Sequence, residues 1–202
     1  MKERPSNHIP GQWLLFIHQL PSQPDAFRVK IWRKLQQIGA ISLKNSVYVL
    51  PRLTKVEERL IELVTEIKNG RGEAFLCDVT FIKGVDTRSL VRQFNEERNK
   101  SYQKVAKAVS PFLELLGTKR KPTAEKLMVA AHSLGKLKRQ LGEVIEIDFF
   151  SSKERIRTES IFNKVEDRIQ NLKAWSVMAP LPDFSIKKVQ GKTRVTKKGA
   201  FR

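Results

Sequence analysis

Trp13-Leu14-Leu15-Phe16-Ile17 is a short unbroken apolar run, stopped by Pro21 and Pro24, and it predicts a buried strand. Asp25 can cap the helix that follows. In that helix Phe27, Ile31, Leu35 and Ile38 share one face with Trp32 at its edge, while Lys30, Arg33, Lys34 and Gln37 point away, and Gly39 ends it. Ala40–Leu43 and Ser46–Leu50 are β-rich runs around a Lys44-Asn45 break, which predicts a hairpin closed by Pro51. Thr54 with Glu57 three residues on matches a capping box, and Val56, Leu60, Leu63, Val64 and Ile67 form an inner helical face with Glu57, Glu58, Glu62 and Glu66 outside. Asn69-Gly70-Arg71-Gly72 ends that helix, and Ala74–Phe81 reads as a fourth strand.

The order βαββαβ predicts an α+β, ferredoxin-like domain over residues 12–84, with two helices on one face of a four-stranded antiparallel sheet. The other face then needs cover, from the rest of the chain or from a second copy. From Asp86 the apolar period changes from 2 to 3.6. Val91, Phe94, Tyr102, Val105, Val109, Phe112 and Leu116 make one seam. Leu127, Ala130, Leu134, Leu137, Leu141 and Val144 make a second, and Phe162, Val165, Ile169 and Leu172 a third. Breaks at Gly117–Pro122 and Phe149–Ser152 separate them, so residues 86–174 predict a long antiparallel helical arm or bundle that also offers a place to dimerise. Residues 175–202 read as a basic tail or linker.

Charge changes the picture more than composition does. The 202 residues carry a formal charge of +18. By segment this is +1 for 1–11, +4 for 12–84, +7 for 85–174 and +6 for 175–202. A surplus of that size repels itself in a compact chain and points to a polyanionic partner. The concentration of bases in the last segment is the pattern of an interaction tail, with a merely solubilising end as the alternative. Cys77 is the single cysteine, so no disulfide framework is expected within one chain. The polar Met1–Pro10 stretch is no secretory signal, and no apolar run approaches the roughly 18 residues of a membrane span, so a cytoplasmic, non-membrane protein is expected.

Candidate chemistry is sparse. His8, His18 and His132 lie on three separate elements without metal-ligand spacing, and His18 ends the first strand. No GxSxG, GxxxxGK[ST] or GxGxxG pattern occurs, and Gly70-Arg71-Gly72 is too short to cradle a phosphate. Glu143, Glu146 and Asp148 could gather a divalent cation, though nothing else in the sequence supports one. Cys77 reads as a small buried hydrophobe. The remaining signal is basic: Lys30, Arg33 and Lys34 on the first helix, Lys44, Asn45 and Arg52 around the hairpin, Lys119, Arg120 and Lys121 in the first break, Lys136, Lys138 and Arg139 on the middle helix, and Lys187, Lys188, Lys192, Arg194, Lys197 and Lys198 in the tail. These are the candidate DNA-binding positions outside the tail together with the tail itself, suited to phosphate contacts that supply affinity and salt dependence rather than sequence choice.

Trp13–Pro21, Arg28–Gln36, and Gly39-Ala40 followed by Leu43–Pro51 resemble the N-terminal domain of the ChrB chromate resistance proteins, with Leu43–Pro51 the most specific part. The resemblance continues through Gly72-Glu73-Ala74, Ile147–Phe150, Leu181-Pro182-Asp183 and Gly191–Gly199, nearly the whole chain. It implies a regulator of a chromate resistance operon that binds operator DNA and releases it when chromate, the effector, is present, and the helical seams allow a homodimer. It also implies that longer members carry a C-terminal chromate-resistance domain after the Val195–Gly199 stretch, to which residues 175–202 would be the linker, with a stand-alone form as the alternative. The Gly39–Tyr48 pattern also resembles the Cas2-like domains, whose nuclease members place a metal-binding aspartate at the end of the first strand. His18 and Gln19 stand there in this chain, which removes the hard oxygen ligand a magnesium site needs. A DNA-binding regulator is therefore the leading expectation, with no catalytic residue, no metal and no cofactor. The alternatives are a dimerisation or scaffold module, and, behind it, a Cas2-like metal nuclease or a chromate reductase.

Overall fold

The structure, a computed structural model, describes residues 12–117 and 123–178. Its elements run β1 (Trp13–Gln19), α1 (Asp25–Ile38), β2 (Ile41–Lys44), β3 (Val47–Pro51), α2 (Thr54–Asn69), β4 (Glu73–Val79), α3 (Thr87–Gly117), α4 (Ala124–Glu146) and α5 (Glu154–Met178). The four strands form one sheet in the order β2-β3-β1-β4. Every neighbouring pair is antiparallel.

Strand alternation splits the sheet into two faces. Leu14, Phe16, Tyr48, Leu50 and Ala74 bury against Ile31, Leu35 and Ile38 of α1 and Val56, Leu60, Leu63 and Ile67 of α2. Each large apolar side chain so enclosed contributes roughly 1.5–3 kcal/mol. Gly70, just past α2, lets α1 approach closely, since a Cβ there would stand 2.3 Å from the Phe27 ring.

The opposite face is covered from within the chain. Trp13, Ile41 and Val49 pack with Leu90 and Phe94 of α3 and with Phe150 from the α4–α5 connection. Phe94 and Phe150 meet edge to face at 5.4 Å, and Trp13 lies 6.1 Å from Phe94. This cover stops short of one cross-strand row, in which Ile17 is flanked by Val47 and Phe75. There Phe75 is 58% exposed.

The second half of α3 joins α4 and α5 around Tyr102, Val105, Val109, Leu116, Leu127, Leu134, Leu141, Phe162, Val165 and Ile169. One predicted seam thus serves two cores, with Phe94 on the sheet and Tyr102 onward in the bundle. The turn between α4 and α5 is fixed by buried polar bonds. Asp148 accepts from the Tyr102 hydroxyl at 3.0 Å and from the Ser152 amide, and Ser152 donates to Asn99. Gly39, in the left-handed region at φ 84, ends α1 against this turn, where a Cβ would fall 2.8 Å from Ile147 Cβ.

Three local expectations are corrected. Neither Asp25 nor Thr54 caps its helix: each is the first helical residue, and Pro24 and Leu53, without side-chain acceptors, hold the cap positions. The extended entry after each apolar or proline residue shifts the start by one position. Thr123, in contrast, does cap α4, accepting from the Lys126 amide. Glu66 does not face solvent but turns toward α1. Cys77, expected to be buried, is only partly so. Among the described residues no helix is long and apolar enough to cross a membrane.

Candidate nucleic-acid interface

Polar residues on the outer stripes of α1 and α4 follow from the apolar period, since the faces left over by the core positions must meet water. The structure sorts the predicted basic positions into paired and unpaired sets. Lys30 bonds Glu66 of α2 at 2.7 Å, and Lys34 bonds its other carboxylate oxygen. Hydrogen bonds from these two ammonium groups hold the Glu66 carboxyl below its ordinary value. Arg52 pairs with Asp78, bonds Gln12 at 3.1 Å and approaches Glu57 at 3.7 Å. Lys138 reaches across to Glu166 of α5 at 2.6 Å.

Arg33, Lys44, Lys136 and Arg139 are exposed. None of these four has an acidic partner among the described residues. Lys136 and Arg139 stand one turn apart on α4, while Arg33 and Lys44 lie on the sheet domain. Asn45 occupies the β2–β3 turn at φ 37. Lys119, Arg120, Lys121 and the tail bases lie outside the described residues. Lys104 and Lys107, exposed on α3, are further bases of the same kind that the charge clusters did not single out. Their spacing between the buried Tyr102, Val105 and Val109 was the available signal.

The end of β1 carries a different arrangement. His18 lies with its ring stacked on Tyr48 at 5.6 Å, and its amide donates to the Ser46 carbonyl at 3.1 Å. Its Nδ1 is buried and has no hydrogen-bond partner among the described residues. Burial lowers the pKa of the ring. The ring opens on a groove of about 620 Å³ whose walls include Trp32, Arg28, Asn45 and Tyr48. The groove unites β1, α1 and the hairpin turn, and sequence reading found only His18 and Asn45 of it.

No group of three or more His, Cys, Asp or Glu side chains suited to a metal ion occurs among the described residues. Asp148, weighed above as a cation ligand, spends its carboxylate on Tyr102 and Ser152 in the core.

A family described as "Protein ChrB, N-terminal" matches residues 28–179. The chain is also similar to Protein ChrB of Cupriavidus metallidurans, 30% identical over 67 residues. That stretch is 33% of this chain and 21% of the relative's length.

Proposed function

Because the chain belongs to the ChrB N-terminal family, we propose that it serves chromate resistance as a DNA-binding regulator that leaves its operator when chromate is present. The observation that carries this reading is the set of exposed bases without acidic partners among the described residues, Arg33, Lys44, Lys136 and Arg139, within a chain of formal charge +18. Unpaired cations on the surface of so basic a protein release counterions when they meet phosphates, which drives binding strongly at low salt. Arg52 and Lys138 are paired within the fold, and Lys30 and Lys34 share the single charge of Glu66, so these four contribute less. The βαββαβ unit is read as ferredoxin-like, and a C-terminal chromate-resistance domain and a second copy as the protein partners.

The test is a gel-shift salt titration against the DNA upstream of the chain's own gene, with and without chromate. The regulator reading expects a steep salt slope, preference over random DNA, and release by chromate. Equal affinity for both DNAs, unmoved by chromate, rejects it.

A dimerisation module is favoured by one feature, the apolar Val47–Ile17–Phe75 row left open on the sheet. Phe75→Ser then converts a dimer to a monomer in sedimentation velocity. A wild-type chain that is already monomeric rejects this second reading.

A further inference from the structure

The groove at the end of β1 has the makings of a ligand site that phosphate contacts do not use. On α1 the wall positions Arg28, Val29 and Trp32 follow the helical spacing that puts them on one face, beside the core stripe. Trp32 is 53% exposed and Val29 44% exposed, an apolar surface that gains by being covered. The His18–Tyr48 stack lies across from them on the sheet. The hydrogen bond from the His18 amide to Ser46 fixes the hairpin turn, and with it Asn45, at the rim.

We propose that this groove binds a nucleobase. A base offers flat faces to Trp32 and an edge of donors and acceptors to the Asn45 amide at the rim. Its volume of about 620 Å³ lies within the roughly 300–1,000 Å³ of small-ligand sites. The surrounding charge of +18 draws in a ligand that carries phosphate, while the groove itself receives the base. A tetrahedral oxyanion fits poorly. Among the described residues Arg28 is the one cationic side chain lining the groove, Asp25 sits 3.7 Å from it, and burial favours the neutral form of His18. An aliphatic chain would leave the polar rim unsatisfied.

The base can belong to a free mononucleotide or to an unpaired position in a strand, and the second source rests on the DNA-binding reading above. The experiment follows the Trp32 indole N–H signal by NMR, assigned by its loss in Trp32→Phe, in the full chain. The probes are AMP, CMP, ribose 5-phosphate and a short single-stranded oligonucleotide. AMP or CMP alone moving the signal identifies the free nucleotide as the source, and the oligonucleotide alone identifies a strand base. Ribose 5-phosphate leaves it still. Trp32→Ala weakens the responding probe at least about fivefold, read by calorimetry, as loss of one stacking partner requires. The proposal falls if no probe moves the signal, if ribose 5-phosphate moves it equally, or if Trp32→Ala binds as tightly as wild type. Duplex gel shifts run alongside separate the two readings. Lost duplex binding with retained nucleotide binding removes the regulator and leaves the groove, and the reverse removes only the groove.

Discussion

The Tyr102 hydroxyl donates to Asp148 at 3.0 Å, tying the middle of α3 to the turn between α4 and α5. Tyr102 is fully buried and Asp148 is 4% exposed, so neither group can turn to water for a replacement partner. Arg98 is also buried close by, its Nε without a partner among the described residues and its pKa lowered by that burial. The bond therefore holds together the place where sheet cover and helical bundle meet.

Tyr102→Phe removes the donor and keeps the ring. The Asp148 carboxylate then loses one bond in the core, at a cost of about 1–3 kcal/mol. Urea unfolding measures it, and a change under about 0.5 kcal/mol contradicts the role assigned to the bond. Burial, with Asp148 beside it, raises the Tyr102 pKa well above the usual phenol range. The wild-type chain accordingly keeps this stabilisation below the ordinary tyrosine pKa and loses it as pH rises beyond, where the unfolded chain ionises first. The substitution flattens that alkaline loss.

Glu66→Gln releases Lys30 and Lys34. Both lysines are largely exposed, so screening limits the stability cost to under about 1 kcal/mol. Glu66 has a lowered folded pKa. Its contribution is complete above the ordinary carboxylate range and disappears as pH falls through the lowered folded value. The difference between wild type and variant, measured by urea unfolding at neutral and acid pH, shrinks in acid. Gel shifts read the second consequence: two freed cations tighten DNA binding. Unchanged or weaker binding counts against α1 as part of the interface.

Gly39→Ala forces a side chain into φ 84 and toward Ile147. The expected loss is roughly 1–3 kcal/mol. Gly135 in α4 meets no atom within 4 Å of a built Cβ, so Gly135→Ala stabilises by up to about 1 kcal/mol. Thermal unfolding of the pair checks both signs, and similar shifts for the two would refute the close approach of α1 to the helical turn.

Arg139→Ala and Arg33→Ala each reduce the slope of log affinity against log salt by about 1 if the side chain contacts a phosphate. Lys138→Ala, already paired with Glu166 at 2.6 Å, changes the slope less. A larger effect at Lys138 than at Arg139 would reverse the sorting of paired and free bases.

The strands and helices were readable because their apolar periods are local. Trp13–Ile17 announced a buried strand, and Leu127 to Val144 announced α4, from spacing alone. The helix starts were misplaced by one residue because capping depends on the backbone angle at which Pro24 and Leu53 enter, which residue type does not report. Glu66 was misread because periodicity tells which side of α2 faces away from the core, not that α1 lies along it. The candidate interface was half legible: the bases could be counted, but not their partners. The groove was least legible, since His18, Trp32 and Asn45 come from a strand, a helix and a turn.

By itself, then, the sequence determined the order of elements, the apolar faces and the sign and size of the charge, all properties that follow from residues close along the chain or from their sum. The tertiary structure alone decided that Lys30 and Lys34 share Glu66 while Arg33 has no acidic partner among the described residues, that Phe94 and Tyr102 serve different cores, and that His18 ends up beside Asn45 and Trp32. Ion pairing, packing and cavity shape depend on distances of a few ångströms through space, and only the folded chain sets those.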